Sequence, residues 1–186
     1  KAVLPTTDIL IFSDFNYGCL PQSLVHEIVE ACKSRKVLMV GDSQSSSQVG
    51  DVSRFKDMML LTPTEREARL SVGDFNSGLV VLSEKLRKKS RAKNILITLG
   101  AEGLLAHAAK KTNEEWLTDR LPALNTAPKD TAGAGDSLLA CCSLSLAVGA
   151  DIWQSMYLGS IASACQVRRI GNIPLSRRDI ASELAD

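Results

Sequence analysis

Asp130-Thr131-Ala132-Gly133-Ala134-Gly135-Asp136 stands directly before a long apolar run, Ser137 to Val148, closed by Gly149. The run is apolar at nearly every position, which predicts a helix buried on nearly every side. Three small residues, Gly133, Ala134 and Gly135, let the backbone enter that helix tightly, and its first N–H groups have no intrahelical acceptors. Amides of this kind, aligned with the helix dipole, form a site for an anion such as phosphate. Asp136 lies in the same turn and has two readings. Its carboxylate is placed to cap the helix, worth about 1 kcal/mol, or to take a proton from a hydroxyl that attacks a phosphate.

Outward from this stretch, the chain alternates short apolar runs with helical patterns. Ile9 to Phe12 predicts a buried parallel strand, and Ser13-Asp14-Phe15-Asn16-Tyr17-Gly18 its loop. Pro21 opens a helix in which Leu24, Val25, Ile28, Val29 and Cys32 recur at helical spacing, up to Lys33. Val37 to Val40 is the next strand, ending at Gly41-Asp42, and Ser43 to Gly50 is a polar loop. Strand, helix and strand in this order make a right-handed crossover. Met58 to Leu61 is a third apolar run. Pro63 ends it, and Thr64 to Glu67 has the spacing of a capping box at the next helix. A helix follows from Asn76 to Lys89, its apolar side formed by Leu79, Val80, Leu82 and Leu86. The basic run Lys85 to Lys93 forms its solvated end.

Asn94 to Thr98 and Leu104 to Ala106, joined through Gly100 and Gly103, predict a hairpin. His107 reads as a strand-end residue and not a base, since no carboxylate or nucleophile lies near it in sequence. Lys110 to Glu115 is a charged turn, and Leu117 to Leu124 leads on through Pro122. Asp151 caps a helix to about Gln166, Arg168 to Asn172 turn the chain, and Arg177 begins a short terminal helix. Strand carboxyl ends are where open α/β sheets bind ligands, which marks Asp14, Asn16 and Asp42.

The seven residues Asp130 to Asp136 match the DTxGAGD signature of the ribokinase-like (PfkB) sugar kinases, and the resemblance spans nearly the whole chain. It implies a three-layer α/β fold, a mostly parallel sheet with helices on both faces. It further implies Asp136 as catalytic base and the amides of Gly133, Ala134 and Gly135 as an anion hole. The turn at Gly100 and Gly103 resembles the family's VTxGxxG turn, which lies against the nucleotide phosphates. Asp130, Thr131 and Asn172 follow as nucleotide-side residues. Thr62 to Glu67 resembles the family's Thr-Pro-Asn-x-x-Glu, which implies Glu67 as an organiser of Mg²⁺ through water, with Asp42 a second candidate. Thr64 replaces the Asn, and a hydroxyl does not reproduce an amide's paired donor and acceptor.

Ser13 to Leu20 resembles the SDYxKG segment of the family's bacterial heptose-phosphate kinases, with Asp14 and Asn16 on the sugar side. Tyr17 stands where that subgroup has Lys. The function implied is ATP- and Mg²⁺-dependent phosphoryl transfer to a sugar or sugar phosphate, heptose 7-phosphate among them. The alternative is a nucleotide-binding scaffold derived from such a kinase, suggested by Tyr17 and Thr64.

Composition narrows the field. With 22 basic and 21 acidic residues among 186, nothing points to nucleic acid or an anionic membrane. No apolar stretch reaches membrane-spanning length. Five cysteines without metal-ligand spacing read as buried thiols of a reducing cytosol, so a cytoplasmic enzyme is expected. A Rossmann oxidoreductase fails for want of an early GxGxxG. The chain opens on Lys1 without Met. It reads as one domain, residues 1–186, the C-terminal nucleotide-binding and catalytic portion of a kinase. The N-terminal half, with most sugar contacts, the lid and any homo-oligomer interface, is expected upstream.

Overall fold

A computed structural model describes residues 3–45, 48–108 and 117–185. The predicted turn Lys110 to Glu115 lies outside them, as do Ser46 and Ser47 of the Ser43–Gly50 loop. Six strands form one sheet in the order β1 to β6: Ile9–Asp14, Leu38–Ser43, Leu60–Leu61, Asn94–Thr98, Leu104–Ala108 and Leu117–Leu121. The first four are parallel, with Ile9 opposite Leu38, Val40 opposite Leu60 and Leu60 opposite Asn94. Chain order equals sheet order because each parallel step crosses over to the next neighbour. The short link Leu99–Gly103 between β4 and β5 cannot hold a parallel crossover, so the predicted hairpin stands.

The chain divides into two compact units, Lys1–Ile97 with Leu105–Asp119, and Thr98–Leu104 with Arg120–Asp186. In the first, helices α1 (Gln22–Arg35), α2 (Glu65–Val72) and α3 (Leu79–Ser90) alternate with the strands. Its centre is β4, whose Ile95, Leu96 and Ile97 are fully buried beside Leu60, Leu61, Leu82 and Leu86. Each such side chain contributes about 1.5–3 kcal/mol by leaving water. β1 departs from expectation: it is parallel but only half-buried, with Ile11 exposed at one edge of the sheet order. α3 begins at Leu79, where Gly78 is the N-cap, and Val80 faces solvent rather than the core.

The C-termini of α1 and α3 meet at Asp57, which lies in the left-handed region just before β3. Arg91 grips both carboxylate oxygens at 2.6 and 2.7 Å, and Lys33 lies at 2.5 Å. The Arg91 hydrogen bonds, with Lys33 behind them, outweigh partial burial and hold the Asp57 carboxyl at about 2.

His107 stands near the end of its strand as expected, but a carboxylate is near it in space. It sits within β5, fully buried, its Nε2 3.0 Å from Glu84 of α3 and its Nδ1 2.7 Å from Thr118 of β6. A carboxylate distant in sequence is near in space, because α3 leads straight into the central strands. Burial pushes the Glu84 carboxyl upward, but Arg87, His107 and Lys88 together bring it down to about 2. A depressed carboxyl contributes stability above its unfolded value, near 4.5, and loses it as pH falls through the folded one. Glu84→Gln is therefore expected to be less stable than wild type at pH 6, with the gap closing between pH 4.5 and about 2. Melting curves of both proteins across that range check this, and a gap that persists at the acid end defeats it.

In the second unit, α4 (Ala134–Ala147) and α5 (Ile152–Val167) pack closely. A Cβ on Gly159 would lie 2.4 Å from Cys142 Sγ, so glycine is what permits the approach. Serines in the apolar helix satisfy themselves on its backbone, Ser143 donating to Leu139 and Ser145 to Cys141. The expectation of burial on nearly every side is corrected, since Leu144 and Val148 are exposed. Asp151 caps α5 with Gln154 in a full capping box. α6 (Arg177–Ala185) is tied back by Arg168–Glu183 and Arg169–Asp179. Cys32, Cys142 and Cys165 are buried, whereas Cys19 is exposed. Among the described residues, no helix is long and apolar enough to cross a membrane.

Candidate active site

In the second unit the signature turns as its glycines require. Gly133 is the N-cap of α4 in the left-handed region, φ 75°, and has no side chain with which to cap the helix. Asp136 is not the N-cap residue; it lies in the first turn of α4, part-buried. Of the three candidate amides, that of Ala134 donates to Thr131 O at 3.2 Å and closes the turn. The N–H groups of Gly133 and Gly135 precede the first intrahelical bonds. The space a Cβ would take at Gly135 is open for 4 Å, which fits a bound anion at the helix start.

Asp130 braces the turn from behind. Its carboxylate accepts from the Ala132 amide at 3.0 Å and from the Gly171 amide at 2.8 Å, and these bonds hold its carboxyl below the usual range. Asn172 packs against Gly133, where a Cβ would meet its Oδ1 at 2.1 Å. The structure thus brings Asp130, Gly133 and Asn172 together, with Asp136 one turn onward. Gly100 and Gly103 frame a tight 3-10 turn in which Leu99 N–H donates to Gly103 O. At Gly100 the space is open, but at Gly103 the backbone of Leu121 to Ala123 fills it.

In the first unit the predicted residues cluster at the carboxyl ends of β1, β2 and β3. Asp14, 4% exposed, accepts from Asn16 N at 3.0 Å and pairs with Arg54 at 2.5 Å. Arg54 also stacks on Phe55, 4.5 Å from its ring centre. Asn16, in the left-handed region, donates to Ser43 Oγ and Gln44 O and joins the ends of β1 and β2. Asp42 is within β2 rather than beyond it, and buried.

Glu67 completes the predicted capping box: its Oε2 accepts from the amide and the hydroxyl of Thr64, both at 2.8 Å. Its Oε1 accepts from Ser45 N at 2.7 Å. A carboxylate offers about four lone-pair positions, and these three bonds leave room on Oε1 for one water. Among the described residues no group of three or more His, Cys, Asp or Glu side chains is placed to hold a metal ion. Mg²⁺ in phosphoryl-transfer sites takes only one or two carboxylates plus waters and phosphates, so Glu67, reached through water, fits it.

Sequence reasoning missed Arg54 and Gln166. Arg54 carries no local signal, being distant from Asp14 along the chain. Gln166, 1% exposed, had one: it is a lone amide at the end of the apolar helix α5.

A mostly parallel sheet with helices between its strands defines an α/β fold, and comparison agrees. Phosphofructokinase-2 from Escherichia coli superposes with a TM-score of 0.80 at 18% identity, over 99% of this chain and 59% of that one. Ribokinase from Thermotoga maritima does so at 0.75 and 24%, over 100% and 59%. At these identities the likeness shows the three-layer ribokinase-like fold. The chain belongs to the pfkB family of carbohydrate kinases, whose family model matches residues 2–178. Among curated proteins it is similar to the bifunctional protein HldE of Desulfatibacillum aliphaticivorans, 29% identical over 186 residues. That of Helicobacter hepaticus is 29% identical over 183 residues. The matches cover 98% and 96% of this chain, which spans 36% of the length of each relative.

Proposed function

We propose that the protein transfers the γ-phosphoryl group of ATP to a hydroxyl of a sugar or sugar phosphate, with Asp136 as general base. The observation that supports this most directly is the start of α4, where Gly133 is the N-cap and Asp136 stands in the first turn, next to Gly135. Asp136 accepts the hydroxyl proton, the oxygen attacks the phosphorus, and ADP leaves. The Gly133 and Gly135 amides stabilise charge on the transferring group. Mg²⁺, when bound, neutralises the phosphate oxygens, and Glu67 orders its waters, with Asp42 a second candidate. Thr131 and the Gly100 turn serve the nucleotide, Asp14 and Asn16 the sugar. Heptose 7-phosphate is the first acceptor to try, from the local likeness at Ser13–Leu20, Leu60–Glu67 and Val167–Pro174.

One observation favours the second reading, a nucleotide-binding scaffold. Glu67 is already engaged by its capping box and by Ser45, a purely structural use. The test is ADP release from Mg-ATP by the full-length protein against a panel of sugars and sugar phosphates, beside calorimetry with and without Mg²⁺. Mg²⁺-dependent nucleotide binding and acceptor-dependent release are expected. Nucleotide binding without release for any acceptor turns the reading to the scaffold.

A further inference from the structure

Gln166 closes α5 in an otherwise apolar setting, its side chain buried. Its Nε2 donates to two carbonyls, Ala132 O and Gly171 O, each at 3.3 Å. Neither carbonyl belongs to a regular element. Ala132 lies in the signature turn and Gly171 in the turn that follows α5. In a trans peptide the C=O and the next residue's N–H lie in one plane and point opposite ways. Fixing Ala132 O therefore fixes the direction of the Gly133 N–H, and fixing Gly171 O fixes that of the Asn172 N–H. The first is a candidate donor to the transferring phosphoryl group, and the second belongs to a candidate nucleotide contact.

We infer that Gln166 is a positioning residue that aims the Gly133 amide and links the signature turn to the Arg168–Asn172 turn. Neighbouring bonds frame the same two segments, and the Ile173 N–H also holds Gly171 O at 3.0 Å, but they leave the rotation of the Ala132–Gly133 peptide unset. Lys129 N–H donates to Val167 O at 2.7 Å, and Asp130 accepts from Gly171 N. Asn172 Oδ1 occupies the space beside Gly133 Cα. None of these holds the Ala132 carbonyl. Removing the Gln166 donor takes from Ala132 O the bond that holds it and leaves that carbonyl to turn toward solvent, whereas Gly171 O keeps the Ile173 N–H.

The role rests on the phosphoryl-transfer reading, and its test separates the two. Gln166→Met keeps length and volume without the donor. In the full-length enzyme its kcat is expected to fall roughly ten- to a hundredfold, the order that small misplacements cost. KM for ATP and the thermal midpoint should change little. The second readout needs no activity: in protein labelled with ¹⁵N-glycine, the Gly133 and Gly171 resonances should shift, while Gly73 and Gly149 stay. Should Gln166→Met fail to fold, Gln166→Asn, which keeps an amide but withdraws it by one methylene, takes its place with the same expectations. A wild-type enzyme that turns over no acceptor counts against the kinase reading alone, and the glycine resonances still decide the positioning role. Unmoved Gly133 and Gly171 signals, or a wild-type kcat in the variant of an active enzyme, overturn it.

Discussion

Asp136→Asn is expected to lower kcat by roughly 10²–10⁴-fold, the range for loss of a general base, and to leave the fold intact. Asparagine has the size of aspartate but takes up no proton at neutral pH. The helix should tolerate it, since its start is set by the left-handed Gly133 and asparagine keeps an oxygen that can accept from a first-turn amide. Nucleotide affinity should hold or rise slightly, because a negative charge beside the phosphates is removed. A carboxylate in a first turn also interacts favourably with the helix dipole, worth about 0.3–1 kcal/mol, so a small fall in thermal midpoint accompanies the change. The measurement is acceptor-dependent ADP release on the full-length protein beside its melting curve. A variant that retains wild-type turnover removes Asp136 from the chemistry, whatever the melting curve does.

The second large effect concerns stability. Gly103 adopts φ 90° and ψ −126°, a region open essentially to glycine. A Cβ there would lie 2.1 Å from Leu121 O and 2.6 Å from Ala123 N, backbone atoms that cannot swing aside. Strained dihedrals cost about 1–3 kcal/mol, and overpacking about 1–3 kcal/mol, so Gly103→Ala should lose several kcal/mol. Gly100→Ala makes the control: φ is 59° but nothing lies within 4 Å, so only the left-handed penalty of about 1–2 kcal/mol applies. Urea unfolding followed by tryptophan fluorescence ranks the two. Equal stability of both variants would show that the backbone contact at Gly103 is not what requires glycine. The same contrast makes Gly100 the cleaner probe of nucleotide binding, because its outer face is open.

Much of this was legible in the sequence because the informative signals are local. The Thr64–Glu67 box and the Asp151 cap mark helix starts with side chains that bond their own first turn, and the structure holds both, Asp151 with Gln154. The apolar run at Ile95 became the central strand because only a strand covered on both faces tolerates such a run. What escaped depends on contacts across the sequence. His107 has no acidic neighbour along the chain, yet Glu84 lies 3.0 Å away because α3 packs over the central strands. Arg54 reaches Asp14 in the same way. The predicted all-round burial of α4 failed because apolar composition records what a helix can bury and not what covers it. At Gly103 the glycine also makes room for the chain itself, since a Cβ would meet the backbone of Leu121 to Ala123.

Asp57 and its two cations have a consequence for how change is distributed along the strands. Asp57, Lys33 and Arg91 lie at the amino ends of β2, β3 and β4, whereas Asp14, Asn16, Ser45 and Glu67 occupy the carboxyl ends. The amino-end fastening is made of partly exposed ion pairs, which dissolved salt weakens and single substitutions loosen only slightly. The carboxyl end is held by more deeply placed, directional bonds, part-buried around Asp14 and Asn16 and buried between Ser45 and Glu67. A tether, fluorophore or crystal-engineering substitution beside Lys36 would therefore reach the chain where its register is forgiving, a strand's length from the carboxylates.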